Sequence, residues 1–289
     1  MRPVSFDYHR PESLEQALDL LHELGEEARP LAGGYSLVAM MNLRLARPLH
    51  LVDINALGFD RIEHDGGVVR LGALVRHAQL MQDPIIAQHL PLFRAAADYI
   101  AHPTIRNRGS LGGSLAHADP TAELPLVAVL HDAVIVAASR QGERRIPAAA
   151  FFTGAFTTAL EDGEIVVGVE VPVPVPGSAG AFLEFAERHG DFAVVAVGAI
   201  IEAVDGRIGA ARIACAGATS VPVRAGDIER ALAGRPLADP GAEAAGQALA
   251  DAIAASSDIR ASASYRKHLL AELTRRAVAT ACRRAGGQS

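Results

Sequence analysis

A chain of 289 residues, 50% hydrophobic and 21% charged, has an ordinary globular profile with room for two domains or one large one. Its formal net charge of −6 provides no basic field for nucleic acid or an anionic membrane surface. The two distant cysteines, Cys215 and Cys282, exclude a CxxC metal site or an iron–sulfur ligand set.

The opening stretch MRPVSFDYHRPESLEQAL has no apolar signal core, and FAVVAVGAII at 192–201 is too short to span a bilayer. A reduced, cytoplasmic protein is expected. Residues 13–25, SLEQALDLLHELG, place Leu14, Ala17, Leu18 and Leu21 at helical spacing, with Ser13 and Gln16 as a capping box and Gly25 as a stop. A short strand is expected at 30–32, then a GGYS turn, a second strand at 50–54, and a turn and strand over 66–73. Residues 76–83 and 84–100 read as helices, the second interrupted by Pro91. AVIVAAS at 133–139 and EIVVGVEVP at 164–172 read as β-branched strands. Helices and strands without regular βαβ spacing predict an α+β fold rather than a doubly wound sheet. VPVPVPGSAG at 171–180, with its alternating prolines, reads as an extended linker. Beyond it, 181–190, 192–206 and 207–218 predict a three-stranded meander with a hairpin turn at Asp205-Gly206. Helices follow near 224–234, 240–255 and 262–283, the last with an apolar stripe of Tyr265, Leu269, Leu273, Val278 and Cys282.

Two glycine segments stand out for chemistry: Ala32-Gly33-Gly34-Tyr35-Ser36, and TIRNRGSLGGSLAHADPTAELP at 104–125. Successive N–H groups with no side chain in front of them form an anion-binding concavity, and Ser36, Ser110 or Ser114 adds a hydroxyl donor. Two such segments could cradle one diphosphate of a dinucleotide cofactor; the alternative is a pair of tight turns packed on each other. No GxGxxG follows a strand and no GxxxxGK[ST] occurs. Arg106 and Arg108 could neutralise phosphate or hold a loop by bonding carbonyls. His102, His117 and Asp119 match no metal-ligand spacing, and loop-bracing roles suit them better. Glu123 precedes the apolar run LPLVAVL and needs hydrogen-bond partners there, a ribose hydroxyl or a backbone amide among them. No GxSxG, HExxH or Cys-His cluster supplies a nucleophile, which suits a protein whose cofactor carries the reaction.

In FDYHRPESLEQALDLL, LAGGYSLVAMMNLRLARPLHLVDI, IRNRGSLGGSLAHADPTAELP, GDFAVVAVGA and SYRKHLLAELTRRA, the chain resembles the medium, FAD-binding subunit of molybdenum hydroxylases, the carbon monoxide dehydrogenase and xanthine dehydrogenase family. The resemblance covers essentially the whole chain. It implies a two-lobed FAD-binding fold of the vanillyl-alcohol oxidase type over 1–175, with subdomains of about 1–55 and 56–175, followed by a smaller α+β domain over 176–289. It places FAD against Ala32, Gly33, Gly34, Tyr35 and Ser36, against Ser110, Leu111, Gly112, Gly113 and Ser114, and against Glu123. Ile100 and Val166 fall where apolar residues line the cofactor, and Arg188, His189 and Asp191 in the 186–192 segment fall near the flavin ring, with Arg188 a candidate for stabilising reduced flavin. Tyr35 stands where relatives carry Gln, His or Thr, and its ring could leave the loop backbone free or cover part of the cofactor. The first segment has no histidine, so non-covalent FAD is expected.

The resemblance further implies electron transfer: from a molybdenum centre on a large subunit, through 2Fe–2S clusters on a small subunit, to FAD here and on to NAD, a quinone or oxygen. A dimer of heterotrimers is the assembly it implies. A self-sufficient FAD oxidase and a scaffold that has lost FAD are the alternatives. The lack of an acid–base cluster weighs against the first, and the intact glycines weigh against the second.

Overall fold

The computed structural model describes residues 2–287. The N-terminal lobe is a small parallel sheet made by β1 (Asp7–His9), β2 (Ala28–Leu31) and β3 (His50–Asp53), with β3 in the middle. Helix α1 (Leu14–Leu24) connects β1 to β2 and buries Ala17, Leu18 and Leu21. Gly25 closes it at φ 53° as expected, and Ser13 Oγ accepts the Gln16 N–H at 3.2 Å, but Gln16 Oε1 accepts the Glu12 N–H at 2.8 Å instead of the Ser13 N–H, so the expected capping box is only half formed. The strand expected at 30–32 begins at Ala28, and α2 (Leu37–Asn42) follows the glycine turn.

The second lobe is a five-stranded antiparallel sheet in the order β4-β5-β10-β6-β7. Strands β4 (Ile62–Asp65) and β5 (Val68–Gly72) lead into helices α3 (His77–Gln82), α4 (Pro84–His89) and α5 (Pro91–Tyr99). Pro91 does split the 84–100 stretch, because each proline opens a helix where its missing N–H is not needed. Next come α6 (Pro103–Arg106), α7 (Leu111–His117) and α8 (Glu123–Leu130), then β6 (Val134–Ser139) and β7 (Gly142–Pro147). A short helix α9 (Ala148–Phe151) and the small hairpin of β8 (Phe152–Gly154) and β9 (Thr157–Thr158) precede β10 (Ile165–Pro172). The second glycine segment is therefore a correction: it is largely helical, not an open loop. Every residue of α8 is buried, so it has no polar face and none of the periodicity by which a helix is read.

The C-terminal part starts with β11 (Ser178–Phe185), β12 (Val195–Val204) and β13 (Arg207–Ala216) as an antiparallel meander. The expected three strands become four, because β14 (Val223–Arg224) pairs with the end of β13. Helices α10 (Gly226–Leu232), α11 (Ala242–Ala252) and α12 (Ala263–Ala285) follow. One sheet face carries α12, against which α11 packs, with Leu269, Leu273, Val278 and Cys282 buried as the stripe predicts, whereas Tyr265 lies 42% exposed, edge-on to Phe185. The buried Arg266 of α12 donates to the carbonyls of Val194 and Gly217. The other face packs on the second lobe: a Cβ at Gly198 would lie 2.6 Å from Leu130, and Phe182, Ala196 and Ile200 share a core with α5 and α8. Among the described residues no helix is long and apolar enough to cross a membrane.

Candidate functional site

The chain leaves β2 at Leu31, turns through the first glycine segment and enters α2. Gly34 takes φ +79°, a left-handed conformation that favours glycine. Gly33 is bare for a different reason, since a Cβ there would sit 2.4 Å from the Arg108 carbonyl oxygen. The two glycine segments therefore touch at this point. Among the described residues, the N–H groups of Gly33, Gly34, Tyr35 and Ser36 have no acceptor, and the Ser36 hydroxyl does not cap α2. Tyr35 Oη donates to the Thr104 carbonyl at 3.2 Å, which lays its half-exposed ring across to the start of α6.

The second segment behaves differently. Ser110 is the N-cap of α7, and its Oγ accepts the Gly113 N–H at 3.3 Å. The N–H groups of Leu111 and Gly112 donate to Val75 O at 2.9 Å and Ala73 O at 2.8 Å. The expectation that both segments offer free N–H donors thus holds for the first and fails for the second. A Cβ on Gly112 would meet Ala73 Cβ at 2.6 Å, so that glycine lets α7 lie on the end of β5. Gly113 meets no backbone: a Cβ there would press only on the Ser110 Oγ cap at 2.8 Å and reach van der Waals contact with Ala32 Cβ at 4.0 Å, at an exposed position. Leu111 points into the core, while the Ser114 hydroxyl is partly exposed.

The flanking arginines divide. Arg106 donates to the carbonyls of Ile100 at 2.9 Å and Ala101 at 3.0 Å, the loop-holding role. The exposed Arg108 has no side-chain partner among the described residues. Two further residues join the segments and carried no signal as isolated polar side chains. Asn55 Nδ2 donates to Ala32 O at 2.9 Å, and Arg76 Nη1 donates to Arg108 O at 2.5 Å. His117 packs on Phe156 with ring centroids 5.1 Å apart, and Asp119 accepts the Thr121 N–H at 2.9 Å, both bracing contacts.

Glu123 opens α8 and is 8% exposed. Burial pushes its carboxyl up to about 7, with repulsion from Asp119 adding to this and its own backbone N–H opposing it. A second carboxyl, Glu184, shares its face of β11 with Phe182, and both its oxygens are enclosed without a hydrogen-bond partner. Burial, then Glu123, push Glu184 up to about 9, with Arg260 opposing. At neutral pH Glu184 therefore keeps its proton, while Glu123 sits near the midpoint of its titration.

Ile100 ends α5, and the residue after it meets the 186–192 segment: a Cβ at Gly190 would lie 2.7 Å from Ala101 O. His189 stands edge-on to Tyr99 at 5.6 Å. Val166, 4% exposed, lies in the core cluster that also holds Ile100 and Leu111. Arg188 is exposed, and its carbonyl accepts the Asp191 N–H at 3.1 Å. The structure therefore brings 32–36 against 108–114 and 99–101 against 189–190, while Val166 sits inside the core.

Residues 4–174 match the family model for the FAD binding domain in molybdopterin dehydrogenase, and residues 180–281 match that for the CO dehydrogenase flavoprotein C-terminal domain. The chain is thus an oxidoreductase component with an FAD-binding domain. It belongs to the family of FAD-binding medium subunits of molybdenum hydroxylases. It is 41% identical over 287 residues to the alpha subunit of the 6-hydroxypseudooxynicotine dehydrogenase complex of Paenarthrobacter nicotinovorans, covering 99% of this chain and 97% of that protein. The medium chain of carbon monoxide dehydrogenase from Afipia carboxidovorans is 37% identical over 287 residues, covering 99% of each. Among solved structures, carbon monoxide dehydrogenase from Hydrogenophaga pseudoflava superposes with a TM-score of 0.95 at 34% identity, covering 99% of each chain. Quinoline 2-oxidoreductase from Pseudomonas putida 86 superposes with a TM-score of 0.94 at 34% identity, also covering 99% of each.

Proposed function

We propose that the chain holds FAD non-covalently between residues 32–36 and 110–114 and relays electrons within a molybdenum hydroxylase complex. The observation that carries this is the row of four unpartnered N–H groups, 33–36, beside the exposed, bare Cα of Gly113. Donors of this kind fit a diphosphate, and a side chain at Gly113 would stand in its path. The Ser36 and Ser114 hydroxyls extend the donor set, and Glu123 offers an acceptor for a sugar hydroxyl when ionised and a donor when protonated. Ile100 and Arg188 are assigned to the flavin end, where Arg188 would favour negative charge on the ring, and Val166 would back that end only from within the core.

Bound there, FAD supplies two-electron redox chemistry linking one-electron centres to a terminal acceptor. The 2Fe–2S clusters and molybdenum cofactor are assigned to small and large partner subunits, in a cytoplasmic dimer of heterotrimers with NAD, a quinone or oxygen as acceptor. This chain has two buried free cysteines far apart in sequence, which suits that division. The domain division is placed at 175/176, in the turn between β10 and β11. The test is the flavin content of the Gly113→Val variant, which should purify folded and colourless. A variant with full flavin would overturn the placement.

A further inference from the structure

We propose that Arg76 is a positioning residue for the cofactor cradle, its guanidinium bridging the two glycine segments and fixing the distance between them. This rests on the reading that FAD lies between those segments. Arg76 belongs to neither of them. It precedes α3, and its backbone bridges to Ser110, the cap of α7. One arm of its guanidinium, Nη1, donates to Arg108 O at 2.5 Å. The other arm, Nη2, donates to Asn55 Oδ1 at 2.6 Å. Asn55 then donates through Nδ2 to Ala32 O at 2.9 Å. A continuous line of hydrogen bonds therefore runs from the first segment, through Asn55 and Arg76, to the second.

Both ends of that line lie at the cradle. Arg108 O is the atom over Gly33, where a Cβ would approach to 2.4 Å, and Ala32 is the residue beside Gly113, 4.0 Å from a Cβ placed there. Asn55 is itself held, since its N–H and Nδ2 donate to Asp53 Oδ1 at 2.9 and 2.6 Å, and Tyr8 Oη donates to the other carboxylate oxygen. Among the described residues Arg76 forms no ion pair with a carboxylate. Its guanidinium is partly desolvated and lies near the like charge of Arg108, which makes its charged state less favourable. A planar fork with two diverging donors suits this geometry, and a lysine ammonium on a single flexible stem cannot hold both acceptors in the same way.

The test is FAD affinity, measured by flavin fluorescence titration of the deflavinated full-length chain, with thermal unfolding of the same samples. Arg76→Ala should raise the FAD Kd about 10- to 100-fold, the range for losing one or two hydrogen bonds to a charged group. Asn55→Ala should give a similar loss, and the double variant should be no worse than the weaker-binding single, because both break one line. Arg76→Lys, which keeps the charge and the stem and so protects folding, should recover only a minor part of the affinity. Gln79→Ala removes the acceptor of the Arg76 N–H at 2.7 Å; it should lower the apoprotein melting temperature and leave FAD affinity unchanged.

Wild-type affinity in Arg76→Ala, full recovery in Arg76→Lys, or multiplicative losses in the double variant would overturn the proposal. If Gly113→Val also retains its flavin, the placement of FAD itself fails. If Gly113→Val is colourless while Arg76→Ala binds normally, only the positioning role fails.

Discussion

Gly113→Val separates a glycine kept for a ligand from glycines kept for the fold. The four other glycines of the two segments are explained within the protein: Gly33 by Arg108 O at 2.4 Å, Gly109 by the His77 ring at 2.8 Å, Gly112 by Ala73 Cβ at 2.6 Å, and Gly34 by its φ of +79°. At Gly113 the only close atom is Ser110 Oγ, 2.8 Å from a Cβ, and Ala32 Cβ is 4.0 Å away. The valine methyls would project from this exposed position beside Ala32, over the unpartnered N–H groups of the first segment. The expected structural penalty is the Ser110 cap, about 1 kcal/mol, which for a chain of this length lowers Tm by about 2–4 °C. Crowding a bound group costs about 1–3 kcal/mol by analogy with overpacking in a core, or about 5- to 150-fold in affinity. The assay is the flavin-to-protein absorbance ratio after gel filtration, with apoprotein thermal unfolding beside it. Gly112→Val is the contrasting control and should fail to fold. Full flavin in Gly113→Val, or equal loss of stability in both variants, would refute the reasoning.

Glu123→Ala should weaken FAD binding by about 1–3 kcal/mol, the range for one charged hydrogen bond; unchanged affinity in a fluorescence titration would make Glu123 purely structural. Glu123 and Glu184 hold their protons up to about 7 and about 9 in the folded apoprotein, against an ordinary 4.5. The folded state thus binds more protons than the unfolded one, and apoprotein stability should fall as pH rises from about 4.5 through these values. Glu184→Gln, neutral throughout, should raise Tm by several degrees at pH 8.5 and by progressively less towards pH 5; a pH-independent difference would contradict the buried-acid account. Cys215 and Cys282 are both buried, and burial pushes their thiols up to about 12 and about 11. A thiol reagent at pH 8 should leave the native chain unlabelled and label both residues in denaturant; rapid native labelling would show that the α12–sheet packing opens.

The fold was legible wherever a local signal carried it. The Ser13 cap, the Gly25 stop, the proline at 91 and the Asp205-Gly206 hairpin are all short-range features, and each marks an element end in the structure. Elements decided by tertiary burial were not legible. The all-apolar α8 has no period, β7 carries the polar sequence GERRIP, and the helix α7 starts at glycines that read as a turn. The site followed the same division. Glycine pairs announce bare backbone, but not whether the space is filled by protein. Only the structure assigns Gly112 to Ala73 and leaves Gly113 exposed beside Ala32. Asn55 and Arg76 act through partners 21 to 32 residues away, a relation that no local spacing encodes. Glu184 was hidden because a strand's outward and inward carboxylates look alike until the partner face is known.

The most direct test of the central claim is the visible absorption spectrum of the purified chain, alone and co-expressed with candidate large and small subunits, with chromatography of the released cofactor. Flavin bands and one FAD released per chain by denaturation are expected. A colourless protein in both preparations would contradict that claim, and would return the glycine pairs to the role of tight turns packed against each other.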